Sequence, residues 1–248
     1  MIQLKAKQIR ANVEEVNLII EAACAKAGRS SSDVVLVAVS KKKPVADILA
    51  AAEAGAQHFG ENRVEEAMEK IPKVNQEVVN PLSWHMVGHI QSRKARHIHS
   101  LFQMVHSVDS IKLAEKLANL AQDAGQSLDV LVQVNVSGEV QKYGFNASDW
   151  ERTSQVKERL FQDFSRIAQL PGLRVCGLMT MAPIVENMED TRPVFASLAA
   201  LKDELSAVLQ VELPHLSMGM TDDYPVAVEE GATIVRVGRA IFGERHTP

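Results

Sequence analysis

Residues 34–44 read Val-Val-Leu-Val-Ala-Val-Ser-Lys-Lys-Lys-Pro, and this stretch decides the fold. The run 34–39 is apolar on both faces of an extended chain, which is typical of a parallel strand covered on both sides. Pro44 then opens a helical segment that runs through Ala54 and is ended by Gly55. A buried strand followed at once by a helix indicates an α/β protein with a parallel sheet.

The same alternation is repeated along the chain. Seven further short apolar runs lie near 57–59, 84–87, 104–108, 129–136, 174–179, 214–218 and 233–237. Helical patterns separate several of these runs, as Leu113, Leu117 and Leu120 illustrate. Eight such units in 248 residues match the size of a (β/α)8 TIM barrel, which we predict as the fold. A doubly wound open sheet is the alternative, because periodicity alone does not prove closure.

An extra N-terminal helix precedes the first strand in this prediction. Its apolar residues recur at three- and four-residue steps, and Gly28 supplies the end of the helix. These apolar residues are Ile9, Val13, Val16 and Ile20. Since no linker, charge block or shift in composition divides the chain, we predict a single domain over residues 1–248.

Composition excludes several classes of protein. A hydrophobic fraction of 46% is too high for a disordered chain, and a net charge of −4 argues against a dedicated nucleic-acid binder. The two distant cysteines, Cys24 and Cys176, do not form a disulfide framework, which favours a reducing compartment. Without a secretory signal or a run long enough to cross a bilayer, we expect a cytoplasmic protein with no membrane partner.

Lys41 is the first candidate for the functional site. Period-two alternation places Val35, Val37, Val39 and Lys41 on one face of the first strand, so Lys41 would point into the barrel mouth. Active sites of such barrels lie at the C-terminal ends of the strands, and a partly desolvated lysine amine is available for a Schiff base. The alternative is a solvated basic cluster in a loop, which this segment alone favours.

The second candidate lies after the last two strands. The segments 216–222 and 235–240 carry Ser217, Gly219 and Gly238, where barrels frequently bind a phosphate through backbone N–H groups. The alternative is that both glycines simply permit tight turns. Two such turns, each at an expected strand, favour an anion site.

Arg236 interrupts the apolar strand Thr-Ile-Val-Arg-Val-Gly. A charge inside a barrel wall is unfavourable unless it is paired, so Arg236 forms either a structural ion pair or a contact with a ligand. An arginine only donates hydrogen bonds, and it would therefore keep a facing heteroaromatic nitrogen unprotonated.

Other motifs indicate little chemistry. His85 and His89 are four residues apart, but they lie on a strand and a turn and no nearby carboxylate completes a metal site. We therefore predict no metal. The chain has no Walker loop, no dinucleotide-binding glycine motif and no nucleophile-elbow serine.

In order along the chain, these segments resemble the YggS / pyridoxal phosphate homeostasis proteins, also called proline synthase co-transcribed homologues. The matching segments are 36–41 with Lys43 and Pro44, 59–62, 84–88 with Gln91 and Lys94, 133–137 ahead of Lys142 and Gly144, 177–179, 216–222, and 235–238 with 240–243. No single segment is specific, but the ordered set is highly specific and spans almost the whole chain.

The resemblance implies a barrel related to the N-terminal domain of alanine racemase, with pyridoxal 5′-phosphate bound inside it. The first lysine of the family's Ser-Lys-x-Lys-Pro motif carries the cofactor as a Schiff base, and it corresponds here to Lys41. The residues implied to bind the cofactor are Lys41, Asn62, His85, Ser217, Gly219, Arg236 (at the pyridine nitrogen), Gly238 and Arg239. Since Arg239 stands where the family often has threonine, only its backbone contact is carried over.

Two functions remain open at this point. The first is a binding protein that serves intracellular pyridoxal phosphate homeostasis and carriage, with apo pyridoxal-dependent enzymes as partners and no catalytic residue of its own. The second is a racemase or decarboxylase of the same barrel class.

Racemisation needs a base on each face of the substrate, and the chain offers only Tyr143 and Tyr224 as tyrosines and no second domain. We expect the binding protein, acting as a monomer. A phosphosugar barrel enzyme would share the phosphate site but need not have Lys41.

Overall fold

Eight parallel strands and the helices between them form the structure, a computed structural model that describes residues 2–139 and 141–244. The strands are β1 (Val35–Val39), β2 (His58–Glu61), β3 (Ser83–Met86), β4 (Met104–Val108), β5 (Leu128–Asn135), β6 (Leu173–Met179), β7 (His215–Ser217) and β8 (Ile234–Val237). The helices are α1 (Ile2–Lys26), α2 (Val45–Glu53), α3 (Val64–Glu77), α4 (Ile98–Leu101), α5 (Ile111–Asp123), α6 (Ser154–Ala168), α7 (Arg192–Leu209), α8 (Tyr224–Glu229) and α9 (Arg239–Phe242). A two-residue strand, Phe145–Asn146, pairs with the end of β5 outside this set.

The sheet closes on itself. Each strand pairs in parallel with the next one along the chain, and β8 pairs with β1 in a register that sets Arg236 opposite Val37. The structure is therefore a closed eight-stranded barrel, which confirms the predicted (β/α)8 fold. The open doubly wound sheet is wrong, because its edge strands would lack this pairing.

Side chains alternate between the interior of the barrel and the layer of helices. Val37, Met104 and Leu131 pack together inside the barrel, with Val35 against them. Ala38 and Phe59 belong instead to the core between the strands and the helices. The alternation predicted for β1 is thus confirmed over its apolar residues.

Helix α1 lies across the place where the barrel closes. It packs against α2, which follows the first strand, and against α8 and α9, which flank the last one. Asn12 Nδ2 donates to the carbonyl of Ile241 at 2.8 Å, and Arg29 Nη1 donates to the carbonyl of Val228 at 2.9 Å. The predicted N-terminal helix is confirmed, and it fastens the first β/α unit to the last.

Two further expectations concern the whole chain. Cys24 in α1 and Cys176 in β6 are both buried and both free thiols, so no disulfide links these elements. In the two described ranges, no helix combines the length and the apolar character that crossing a membrane requires.

Gly177 marks an irregular place in the barrel wall. The register between β5 and β6 shifts there, since Val130 pairs with Val175 but Leu131 pairs with Gly177. The φ of Gly177 is +153°, and a Cβ on this residue would lie 1.9 Å from the carbonyl oxygen of His215 on β7. Only glycine lets β6 and β7 approach this closely at the bulge.

We expect Gly177→Ala to lower the free energy of unfolding by about 3 kcal/mol or more, because both the backbone conformation and the β6–β7 contact oppose a side chain. Gly125→Ala is the matched control. Its φ is +64° and the space around it is open, so it should lose only about 1 to 2 kcal/mol. Urea unfolding of both variants measures the difference, and equal losses would contradict the close approach.

Candidate functional site

The C-terminal ends of the strands bring several of the predicted site residues to one mouth of the barrel. Lys41 is half-buried two residues beyond β1, and Asn62 is half-buried directly after β2. Ser217 is the last residue of β7, and Gly238 follows β8. Because β8 pairs with β1, the segments that contain Lys41 and Gly238 leave the barrel side by side.

A buried polar cluster holds the backbone just before Lys41. Ser40 is fully buried on the helix side of β1, and its Oγ donates to Oε1 of Glu61 at 2.7 Å. The Lys70 ammonium on α3 donates to the Ser40 carbonyl at 2.9 Å and to Glu61 Oε1 at 2.8 Å. This cluster fixes both the backbone and the side chain of the residue that precedes Lys41.

The same helix also holds the backbone just after Lys41. Lys42 has a φ of +59°, a left-handed conformation that is unfavourable for a lysine. Its N–H donates to Oε1 of Glu66 at 2.5 Å, and that oxygen also accepts from Lys70 at 2.5 Å. Helix α3 therefore compensates the strain at Lys42 and restrains Lys41 from both sides.

Glu61 is the most deeply buried charged residue of this cluster. None of its surface is exposed, and burial raises the pKa of its carboxyl, which the Lys70 ammonium opposes. Among the described residues, its Oε2 has no hydrogen-bond partner. The carboxylate thus depends on Lys70 for its charge compensation.

The turns after β7 and β8 leave backbone donors at the mouth. Gly219 has a φ of +93°, and a Cβ there would lie 2.7 Å from Cβ of Ala227. Within the described part of the chain, the N–H groups of Gly219 and Gly238 donate to no protein acceptor. Gly219 is therefore required by the turn, and the turn in addition leaves donors for an anion.

Arg236 is a buried cation inside the barrel. Its Nη1 donates to Ser217 Oγ at 2.6 Å, and its Nη2 donates to the carbonyl of Thr180 at 2.9 Å. In residues 2–139 and 141–244, no carboxylate forms a salt bridge with it, although Asp223 is near enough to favour its charge. Burial lowers the pKa of Arg236 to about 10, so it remains charged at neutral pH. An ion pair therefore does not explain this charge, whereas an electron-rich ligand at the mouth would compensate it.

Three histidines continue from Ser217 across the barrel interior. Ser217 Oγ lies 2.9 Å from Nδ1 of His106, whose Nε2 lies 2.9 Å from Nδ1 of His85. Nε2 of His85 in turn lies 2.9 Å from Nδ1 of His58. We call His58, His85 and His106 the histidine chain. It joins Arg236 on one side of the barrel to β2 on the other.

The predicted site residues therefore occupy different places. His85 is buried and both its ring nitrogens face other histidines, so its link to the mouth runs through Ser217. The side chain of Arg239 turns outward and donates to Oδ1 of Asp222 at 2.6 Å, which leaves only its backbone for the site. Their contacts with a cofactor stay predictions, as do those of Asn62.

Sequence reasoning missed His58, His106 and the Lys70 cluster. The first two had a signal: each lies in one of the short runs that predict a strand, 57–59 and 104–108, at an inward position. Lys70 had none, because a lysine on an amphipathic helix is ordinarily exposed. In the part of the chain that the structure describes, no group of three or more histidines, cysteines and carboxylates could hold a metal ion.

Comparisons with known proteins agree with this geometry. The profile of the family "Alanine racemase, N-terminal domain" matches residues 7–246. The pyridoxal phosphate homeostasis protein of Aquifex aeolicus is 39% identical over 91% of this chain and 93% of its own length. The protein of that name from Pseudomonas aeruginosa is 40% identical over 96% of each chain.

Solved structures show the same likeness. PipY of Synechococcus elongatus, in a structure described as having pyridoxal phosphate bound, is 37% identical with a TM-score of 0.75, over 91% of this chain and 100% of that one. An alanine racemase of Clostridium difficile is 14% identical with a TM-score of 0.71. It covers 97% of this chain but only 58% of its own, and at that identity it shows the shared fold alone.

We expect Lys70→Met to lower the free energy of unfolding by about 3 to 5 kcal/mol, because it leaves the Glu61 carboxylate buried without a cation. Lys73→Met, an exposed position on the same helix, should change it by less than about 0.5 kcal/mol. The double variant Glu61→Gln with Lys70→Met should be more stable than Lys70→Met alone. Urea unfolding measures all three, and a double variant that is weaker still would refute the dependence of Glu61 on Lys70.

Proposed function

We infer the function from the family: the chain belongs to the pyridoxal phosphate homeostasis proteins, within the alanine racemase N-terminal domain family. We propose that it binds pyridoxal 5′-phosphate and serves the homeostasis and carriage of this cofactor. The observation that carries the proposal is Arg236, a buried cation without a salt bridge among the described residues. It lies beside the turns that leave the N–H groups of Gly219 and Gly238 available, on the strand that pairs with β1, which leads to Lys41. These groups suit a ligand with a phosphate, an aldehyde and a ring nitrogen.

Each group would have a separate task. The backbone N–H groups of Gly219 and Gly238 would bind the phosphate, supported by Ser217. The guanidinium of Arg236 would donate to the pyridine nitrogen and keep it unprotonated. The amine of Lys41 would hold the cofactor covalently through the aldehyde that pyridoxal phosphate supplies. The contacts of α3 with the backbone on either side of Lys41 would keep this amine in place.

Binding without turnover is the interpretation that these residues support best. An unprotonated pyridine ring is a poorer electron sink, so Arg236 disfavours carbanion chemistry. Tyr224 is buried, and burial raises the pKa of its hydroxyl to about 12, which makes it a poor base. We also propose that the protein acts in the cytoplasm as a monomer, with apo pyridoxal-dependent enzymes as the recipients.

A racemase is the second candidate, and Tyr143 is the observation that favours it. This residue follows β5 on the mouth side, is 58% exposed, and stacks its ring on His89 with 4.3 Å between ring centroids. It would serve as the second base opposite Lys41. Amino-acid racemisation by the wild-type protein that Tyr143→Phe abolishes would establish this candidate in place of carriage.

Attachment to Lys41 is directly testable. We expect the protein with pyridoxal phosphate to show a near-visible absorption band, and borohydride reduction to fix the cofactor on the Lys41 peptide in mass spectrometry. Lys41→Ala should lose the band, because the amine that forms the bond is gone. Lys42→Ala and Lys43→Ala are the matched controls and should keep it. Attachment at either of those lysines would contradict the assignment.

Carriage is tested by transfer. We expect the loaded protein to activate an apo pyridoxal-dependent enzyme faster than its own dissociation of cofactor allows. Dissociation is measured in parallel with a small-molecule trap for free pyridoxal phosphate. Activation no faster than trapping would reduce the proposal from carriage to storage.

A further inference from the structure

The histidine chain allows only two arrangements of its hydrogen atoms. Burial lowers the pKa of His85 to about 3 and holds the pKa of His106 well below its usual value, so both rings are neutral. A neutral imidazole has one N–H donor and one acceptor nitrogen. Since each ring nitrogen of His85 and His106 faces a partner at 2.9 Å, the protonated nitrogen of one ring fixes that of the next.

Arg236 selects one of these arrangements in the protein without a ligand. Its Nη1 can only donate, so Ser217 Oγ accepts from it. Among the described residues, the other partner of Ser217 Oγ is Nδ1 of His106. This nitrogen accepts the Ser217 hydroxyl hydrogen, because that hydrogen has no other acceptor among these residues. His106 then donates from Nε2 to His85, and His85 donates from Nε2 to His58. All three histidines carry their hydrogen on Nε2.

We propose that the histidine chain is a set of positioning residues for the Ser217 hydroxyl and that it reverses as one unit when a ligand oxyanion accepts a hydrogen bond from that hydroxyl. This inference rests on the proposed function, because it requires a phosphate at Ser217. Ser217 Oγ would then accept from both Arg236 and His106 and donate to the ligand. His106, His85 and His58 would carry their hydrogen on Nδ1.

The hydrogens balance in this reversal. His106 Nδ1 gains the hydrogen of Ser217, and each Nε2 hydrogen passes to the next ring along the chain. His58, which is only half-buried, releases its Nε2 proton to water. Ser217 regains a hydrogen from water at the mouth, because a phosphate monoester is mostly the dianion at neutral pH. One proton is thus taken up at the mouth and one is released at the far side of the barrel, with no oxidation or reduction.

The reversal is cooperative for a physical reason. If one ring changed alone, it would set two lone pairs or two N–H groups against each other at 2.9 Å inside the barrel. An unmade buried hydrogen bond costs about 1 to 3 kcal/mol, which strongly disfavours mixed arrangements. The chain therefore behaves as a two-state element that the ligand biases.

Side-chain nitrogen NMR of protein labelled with nitrogen-15 in histidine tests the proposal, because it distinguishes a hydrogen on Nδ1 from one on Nε2. The full chain is measured without ligand, with saturating pyridoxal phosphate, and with pyridoxal, which lacks the phosphate. Single His→Gln substitutions assign the three signals. His215 is half-buried outside the histidine chain and is the internal control.

We expect Nε2–H on all three histidines without ligand and Nδ1–H on all three with pyridoxal phosphate. Pyridoxal should leave the three histidines unchanged, and the His215 signal should not change with either ligand. Nδ1–H in the ligand-free protein, a change confined to one ring, or no change would overturn the inference. These outcomes count against the inference only in samples whose near-visible absorption band shows that the cofactor is bound. Absence of that band in the wild type would instead overturn the proposed function.

Ser217→Ala separates the relay from a general effect of binding. It removes the hydroxyl through which the phosphate would act on His106, so we expect no reversal in this variant at a cofactor concentration that saturates its band. Circular dichroism confirms that the variant is folded. A full reversal in Ser217→Ala would show that the ligand acts on the histidines by another route and would refute the role of Ser217.

Discussion

Pairing of the first strand with the last is the constraint on which the rest of the structure depends. The register of β1 on β8 sets Val37 opposite Arg236, and this pairing closes the ring that the other neighbouring strands form. Closure removes both edges of the sheet and turns the interior into a space that side chains must fill. It also brings the segment after β1, with Lys41, beside the segment after β8, with Gly238.

Two polar clusters lie on opposite sides of the barrel strands. On the helix side, Lys70 and Glu61 bind the backbone around Lys41, so burial of charge is used to immobilise a loop. Inside the barrel, Arg236 and Ser217 continue into neutral histidines, so a buried cation meets a line of exchangeable hydrogens there. The first arrangement is rigid because its charges have fixed signs. The second can reorganise, because a neutral imidazole accepts at either nitrogen.

The architecture could be read from the sequence because each barrel strand is a short apolar run with its own helix. The run 34–39 and the seven runs like it predict eight units. The alternation of side chains along β1 correctly separates its inward face from its helix-side face. The site could be predicted only where residue type and strand end coincide, as at Gly219. The histidine chain could not, because contact between His58 and His85 depends on the stagger of β2 against β3, where His85 pairs with Gly60. Spacing along the chain does not contain that stagger.

Closure by β8 also has a consequence for how the protein is made. A ribosome adds residues from the N-terminus at about 5 to 20 per second, so Lys41 leaves the tunnel long before Arg236 is synthesised. Until residues 234–237 arrive, β1 lacks its partner strand on this side and α1 has no last unit to fasten. A ligand that needs the closed mouth would therefore bind finished chains and not nascent ones.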